Sequence, residues 1–270
     1  MLTSSPPPQS EFPWWLAAAV ALALAAALAI AASDLYAQVF ATVSRGILIT
    51  VFVTVIAFTL ASALGLGIAL MALSGSAVLR QVARFYVEII RGVPVLVLLF
   101  WIAFAGVPAF VAGWNALAAP LQEAGLIDAL QVRDVSLLWR AIIALTIGYS
   151  AFISEVFRAG IQAVDRGQIE AANALGLSRY RRFRHVVMPQ AIRTILPPLG
   201  NDFVAMVKDS SLVSVLGVAD ITQMGKIYAA GSFRFFETYS IVAYIYLILT
   251  VGLSLALRAL ENRLRKGTHP

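Results

Sequence analysis

The chain has 270 residues, of which 60% are hydrophobic and only 13% are charged, with a formal net charge of +6. Because soluble domains usually carry about a quarter charged residues, this composition argues against a soluble helical protein. The absence of cysteine excludes disulfides, iron–sulfur clusters and thiol catalysis, and the two widely separated histidines give no basis for a metal site.

Six apolar stretches follow one another along the chain, and each is close to the roughly 20 residues that span a bilayer. They cover residues 14–32, 46–73, 85–106, 137–160, 192–218 and 238–257. We therefore predict an all-α integral membrane protein with about six transmembrane helices.

The N-terminal region is predicted in two parts. Residues 1–13 are rich in serine and proline, which is typical of a disordered tail. Residues 14–35 are expected to hold a retained transmembrane helix, because no lysine or arginine precedes the apolar run and the run is long for the core of a signal peptide. A cleaved signal sequence is the alternative, and it would leave five spans.

The third stretch contains a charged entry with the sequence EIIRGVP. Glu88 and Arg91 lie one helical turn apart, where an ion pair is possible. Gly92 and Pro94 follow, and the proline is expected to bend or break the helix because it lacks an N–H group. Two interpretations fit equally: a hinge or gate near the cytoplasm, or a local kink with a neutralised pair.

The fourth stretch carries Glu155 near its predicted cytoplasmic end, with Arg158 one turn further on. An ionisable group within a span costs at least a few kcal/mol, so such a residue is a functional candidate by default. Here the two side chains can pair, and a structural ion pair is the favoured interpretation.

Residues 161–191 form a strongly basic connection with the pattern of two short helices. Asp165 is expected to cap the first helix, and Gly176 is expected to end it. Ser178 is expected to cap a second helix, which Pro189 would interrupt.

The first of these helices has the composition of a docking element. Small residues such as Ala171 and Ala172 would let another protein approach closely. The alternative is an ordinary amphipathic helix that lies on the lipid headgroups, with the arginines from Arg179 to Arg184 meeting anionic lipid.

The fifth stretch is the most polar and contains the run NDFVAMVKDSSLVSV. Asn201, Lys208 and Ser211 share one helical face, while Asp202 and Asp209 form a second stripe about 100° around the helix. Polar groups over so broad an arc favour the lining of a wet pathway. A Lys–Asp pair that only fixes packing is the alternative.

The basic residues predict the orientation. Lysine and arginine are concentrated in residues 74–84, in 161–191 and in the tail from Arg258, and six spans place these regions on one side. Because lysine and arginine mark the cytoplasmic side, we predict that the 161–191 segment and the C-terminus are cytoplasmic. The positive charge is thus a topology signal that requires no nucleic-acid partner.

Residues 170–189 resemble the cytoplasmic loop shared by ABC importer permeases. The residues that match that loop at its spacing are Glu170, Ala171, Ala172, Gly176 and Pro189. Two mild departures are Val186 and Met188, where the loop has isoleucine and leucine. The runs RGVPVLVLLFW and PPLGNDFVAMVKDSSLVSVLGV are similar to the polar amino-acid (His/Glu/Gln/Arg/opine-type) permease family.

The resemblance implies a five-helix ABC importer transmembrane domain over residues 40–265, with the loop from Glu170 to Gly176 as a coupling helix. The implied partners are ATP-binding cassette ATPase subunits, a second permease subunit that is identical or homologous, and an extracytoplasmic solute-binding protein at a bacterial inner membrane. Because the chain has no G-x-x-x-x-G-K-[ST] loop, we expect it to be no enzyme and to hold no cofactor, with ATP and Mg bound by the ATPase.

The resemblance also implies that the substrate is a polar amino acid or a related compound such as an opine. Lys208 and Asp209, supported by Ser210 and Ser211, would hold the carboxylate and the ammonium of a zwitterion. Two other functions stay open. One is an ion-gradient-driven secondary transporter that uses Lys208, Asp209 and Glu155 as a relay, and the other is an ABC importer permease for a non-amino-acid solute.

Overall fold

The computed structural model describes residues 14–266, and the predicted disordered tail at residues 1–13 lies outside them. Every regular element in the described range is helical. The α-helices are α1 (Trp14–Ala32), α2 (Asp34–Val43), α3 (Ile47–Ala72), α4 (Ala77–Gly92), α5 (Val95–Trp101), α6 (Val107–Glu123), α7 (Leu137–Gln162), α8 (Arg166–Ala174), α9 (Arg179–Arg182), α10 (Met188–Asp209), α11 (Ile221–Ser232) and α12 (Phe235–Lys266). The π-helical turns are Ile102–Gly106 and Phe183–Val187, and the 3₁₀ turns are Ser44–Gly46, Val132–Asp134 and Ser210–Leu216.

Four helical stretches are long and apolar enough to cross a membrane: Asp34–Ala72, Val95–Glu123, Leu137–Gln162 and Phe235–Glu261. The predicted all-α membrane fold is therefore confirmed. Helix α1 is an apolar helix of 19 residues, and α10 is more polar than the four stretches. The total of six spans stays a prediction.

The break expected at Pro94 is confirmed, so the third predicted stretch is not one continuous helix. The helix does not run through residues 85–106, because α4 ends at Gly92 and Val93 is extended before α5 begins at Val95. Pro94 explains the break, since proline disfavours a helical conformation in the residue before it. After the break, a single helical run continues through a π turn to Glu123, beyond the predicted end of the third stretch at residue 106.

Helix α7 lies at the centre of the fold and packs against α3, α10, α4 and α5. Small residues allow α3 and α7 to approach closely. A Cβ atom on Gly65 would lie 2.9 Å from the Ser150 carbonyl oxygen, which is backbone and cannot give way. Close helix contacts of this kind are typical of membrane bundles.

A buried arginine holds the start of α7 to its neighbours. Arg140 is almost fully buried. Its guanidinium donates hydrogen bonds to the carbonyls of Val132, Val135 and Ala103. Ala103 belongs to the first π turn, so Arg140 joins α5 and α6 to the opening of α7.

A buried carboxylate joins α11 to α12. Asp220 caps α11 by accepting a hydrogen bond from the Gln223 N–H at 2.8 Å, and it accepts a second from the Tyr246 hydroxyl at 3.1 Å. Burial raises the pKa of Asp220 despite these hydrogen bonds. The backbone beside it packs so closely that a Cβ on Gly46 would lie 2.4 Å from the Asp220 carbonyl carbon.

Candidate functional site

The predicted docking helix exists as α8, and both of its expected ends are confirmed. Asp165 Oδ1 accepts a hydrogen bond from the Gln168 N–H at 3.3 Å. At the other end Gly176 has φ +70°, a conformation that glycine adopts without strain. The N–H groups of Gly176 and Leu177 donate to the carbonyls of Asn173 and Ala172, which is the Schellman arrangement.

One face of α8 is attached to the bundle and the other is open. Ala172 is only 3% exposed, and Ile169 is half-buried because it packs on a small cluster that includes Val187 and Ile195. Glu170 and Ala171 are exposed, and Leu175 at the tip is 80% exposed. Ala172 therefore attaches the helix to its own chain, while its neighbours form the free surface.

The expected interruption at Pro189 is wrong. Ser178 does cap the second helix, accepting from the Arg181 N–H at 3.4 Å, but the helical run then continues from α9 into α10. The π turn before the proline explains this difference. The Met188 N–H donates to Phe183 five residues back, and this wider turn accommodates a ring that would clash in a regular helix.

A side-chain contact links the two helices of the 161–191 segment. The Arg182 guanidinium donates to the Asn173 side-chain oxygen. Since α9 leads without a break into α10, α8 is connected to the base of α10 both through this contact and through Ile169, which packs on the cluster that includes Ile195.

The polar side chains of α10 face different neighbouring helices. Asp209 Oδ2 accepts a hydrogen bond from the Tyr149 hydroxyl of α7 at 2.8 Å. Lys208 instead lines a cavity of about 210 Å³ between α10 and α12, together with Thr250 and Ser254. Among the described residues, the ion pairs join Glu155 to Arg158 and Arg234 to Glu237, so Lys208 and Asp209 are not paired with each other.

The remaining predicted pathway residues also differ in accessibility. Asn201 is exposed and Ser211 is half-buried. Ser210 is fully buried, and its hydroxyl donates to the Val207 carbonyl at 2.7 Å, which removes it from the pathway surface. Asp202 holds a buried carboxylate oxygen that has no protein partner, on the stripe that it shares with Asp209.

Tyr149 was not singled out from the sequence, although a tyrosine in the middle of an apolar span is an available signal. It is almost completely buried and lies twelve residues into α7, about 18 Å from the start of a helix about 39 Å long. The Tyr149–Asp209 contact therefore lies near the middle of the span. Directly after Asp209 the α-helix gives way to a 3₁₀ turn.

The charged entry at the end of α4 lies beside α7. The expected ion pair between Glu88 and Arg91 does not form, because Arg91 instead lies over the Phe152 ring at 5.4 Å. The predicted pair of Glu155 and Arg158 is confirmed at 2.6 Å. The Tyr86 hydroxyl, which sequence reasoning missed, lies 2.7 Å from Ser150 Oγ and ties α4 to α7.

Within residues 14–266, no group of three or more His, Cys, Asp and Glu side chains could hold a metal ion. The functional candidates in this range are the capped, exposed helix α8 and the Tyr149–Asp209 contact near the middle of the bundle.

Comparisons with known proteins agree on one family. Residues 61–266 match the family described as "Binding-protein-dependent transport system inner membrane component". The match leaves out α1, α2 and the first half of α3.

Individual relatives cover most of the chain. A probable amino-acid permease protein of Bacillus subtilis, YxeN, is 34% identical over 84% of this chain and 93% of its own length. The glutamine transport system permease protein GlnP of Escherichia coli K12 is 37% identical over 71% of this chain and 78% of its own. The crystal structure of an amino acid ABC transporter with histidines is similar at a TM-score of 0.68 and 38% identity, covering 84% of this chain and 95% of that one.

Proposed function

The chain belongs to the family of inner membrane components of binding-protein-dependent transport systems, and on that premise we propose that α8 is the element through which an ATPase drives transport. Such components are permease subunits of ABC importers, and this chain is the permease subunit of an amino-acid ABC importer in the inner membrane. It is a transport subunit, and the ATPase is a separate subunit.

The observation that carries the proposal is the two-sided exposure of α8. Leu175 at the tip is 80% exposed, while Ala172 is buried and Ile169 packs on the cluster that includes Ile195 of α10. A partner that contacts the exposed tip therefore moves a helix that is packed onto α10. Glu170, Ala171 and Gly176 would form the contact surface, and Pro189 lies where the motion enters α10.

The substrate pathway would pass the middle of the bundle beside Asp209. Transporter sites commonly lie near the bilayer midplane where a helix is discontinuous, and α10 changes to a 3₁₀ turn directly after Asp209. The Asp209 carboxylate is suited to the ammonium of an amino acid. Lys208, on the wall of the neighbouring cavity, is suited to its carboxylate, with Asn201 and Ser211 as further polar groups.

The break between α4 and α5 would act as a hinge. Val93 is extended and Pro94 begins the next helix, so the two segments share no continuous ladder of helical hydrogen bonds. Glu88 and Arg91 lie on the last turns of α4 and Gly92 ends it. Movement at this hinge would shift the two charges relative to α7.

The complete importer would contain two ATPase subunits, a second permease subunit and an extracytoplasmic solute-binding protein. The family's own description names a binding protein, which supports that partner. The basic 161–191 segment would face the cytoplasm together with the C-terminus, because lysine and arginine mark that side.

A matched pair of glycine variants tests the docking role of α8. Gly176 and Gly125 both have φ +70° after the end of a helix, and both have open space where a Cβ would lie. In the complex reconstituted with its ATPase and binding protein, G176D is expected to abolish substrate-stimulated ATP hydrolysis and uptake. G125D carries the same backbone strain outside α8 and is expected to retain both. Equal loss in the two variants, or full coupling in G176D, would overturn the proposal.

A further inference from the structure

A charged cavity lies between α4, the end of α3 and α7. It has a volume of about 400 Å³. The charged residues that line it are Arg80, Arg84, Glu88, Arg91, Glu155 and Arg158. Four arginines against two glutamates leave an excess of positive charge in a space that protein surrounds on three sides.

We propose that this cavity binds the phosphate of an anionic phospholipid. Under the orientation proposed above, the cavity opens at the cytoplasmic side, where anionic lipids are found. Guanidinium groups bind phosphate well, because their planar N–H donors match two phosphate oxygens at once.

The arginines of the cavity differ in the hydrogen bonds and ion pairs that they make with the protein. Arg158 is bound to Glu155 at 2.6 Å, and Arg80 Nη1 donates to the Ser74 and Gly75 carbonyls at 3.0 and 2.9 Å. Arg84 makes no hydrogen bond or ion pair with any described residue. Arg91 also makes no hydrogen bond or ion pair with a described residue, but it lies over the Phe152 ring at 5.4 Å. Arg84 is therefore the arginine of the cavity without any of these contacts, and it is available to bind an anion.

The same helix offers a surface for acyl chains beside the cavity. Val78, Val82, Phe85 and Ile89 are spaced along one face of α4, and each is more than half exposed. The charged residues Arg80, Arg84 and Glu88 occupy the neighbouring face. A phospholipid has both chemistries, an anionic headgroup and apolar chains, whereas a free phosphate has only the first.

The test uses the full-length chain with its ATPase subunits in nanodiscs of phosphatidylcholine that contain a minor share of phosphatidylglycerol. Native mass spectrometry measures the phosphatidylglycerol that each complex retains. We expect retention by the unmodified chain and roughly tenfold weaker binding for R84Q, which corresponds to the loss of one charge-assisted contact. R84K keeps the charge and is expected to bind at an intermediate level.

Two further variants distinguish a lipid site in this cavity from a general attraction of lipid to surface arginines and from a site for free phosphate. R193Q removes an exposed arginine of α10 outside the cavity and should leave retention unchanged. F85S should weaken phosphatidylglycerol binding without altering the binding of inorganic phosphate to nanodiscs of phosphatidylcholine alone. Unchanged retention in R84Q, or equal loss in R193Q, would overturn the site. Inorganic phosphate that binds as well as the lipid, with no effect of F85S, would overturn the assignment to a phospholipid.

Discussion

The 161–191 segment and the middle of α10 are both polar regions of an apolar protein, but different forces position their side chains. In α8 the side chain of Asp165 and the backbone of Gly176 act on groups a few residues away. In α10 the surroundings of Lys208 and Asp209 depend on α12 and α7, which are distant in sequence. A local arrangement can be predicted from spacing, whereas an arrangement set by tertiary contacts cannot.

The largest expected effect is on transport, at the contact between α10 and α7. D209N removes the proposed partner of the substrate ammonium, and uptake of radiolabelled glutamine, arginine and histidine by reconstituted vesicles is expected to fall at least about tenfold for the transported compound. Y149F keeps the carboxylate and should have a smaller effect. D128N changes an exposed carboxylate in the loop after α6 and serves as the control. Normal uptake by D209N would show that the contact only fixes packing.

The next effect is on the attachment of α8 to the bundle. A Cβ on Gly160 of α7 would lie 2.2 Å from Cγ1 of Ile195, so G160A overpacks the cluster below α8. We expect a loss of about 1–3 kcal/mol in the free energy of unfolding, measured by denaturant titration in detergent. I195A should relieve the collision and restore much of this loss in the double variant. A double variant less stable than G160A would contradict the role of this collision.

The smallest effect concerns the local capping of α8. D165A removes the acceptor of the Gln168 N–H and should cost about 1 kcal/mol of helix stability. Hydrogen exchange of the α8 amides should therefore increase while exchange within α7 stays unchanged. Increased exchange across both helices would mean that Asp165 supports the bundle rather than the cap alone.

The same distinction explains how much of the fold could be predicted. The stretches 46–73, 137–160 and 238–257 correspond closely to α3, α7 and α12, because each is an uninterrupted apolar run. The break at Pro94 followed from the residue type, whereas the predicted third stretch ends at residue 106 and the helical run continues to Glu123. The π turn that carries the chain past Pro189 has no comparable signal in the sequence.

For the candidate site, the caps at Asp165, Gly176 and Ser178 followed from residue type and spacing. The partner of Asp209 did not, because Tyr149 lies 60 residues away and the contact exists only once α7 and α10 are packed. The burial of Ser210 could not be predicted from its position on the helix either, because it depends on which helices surround α10.

Site-specific cross-linking tests the central claim, that the tip of α8 contacts the ATPase. The chain has no natural cysteine, so L175C and L126C each introduce a single thiol, at side chains that are 80% and 70% exposed. In the assembled complex, a short thiol-to-amine cross-linker is expected to join L175C to an ATPase subunit, while L126C, in the loop after α6, gives no such product. Absence of an ATPase product from L175C, or equal yields from both positions, would contradict the account.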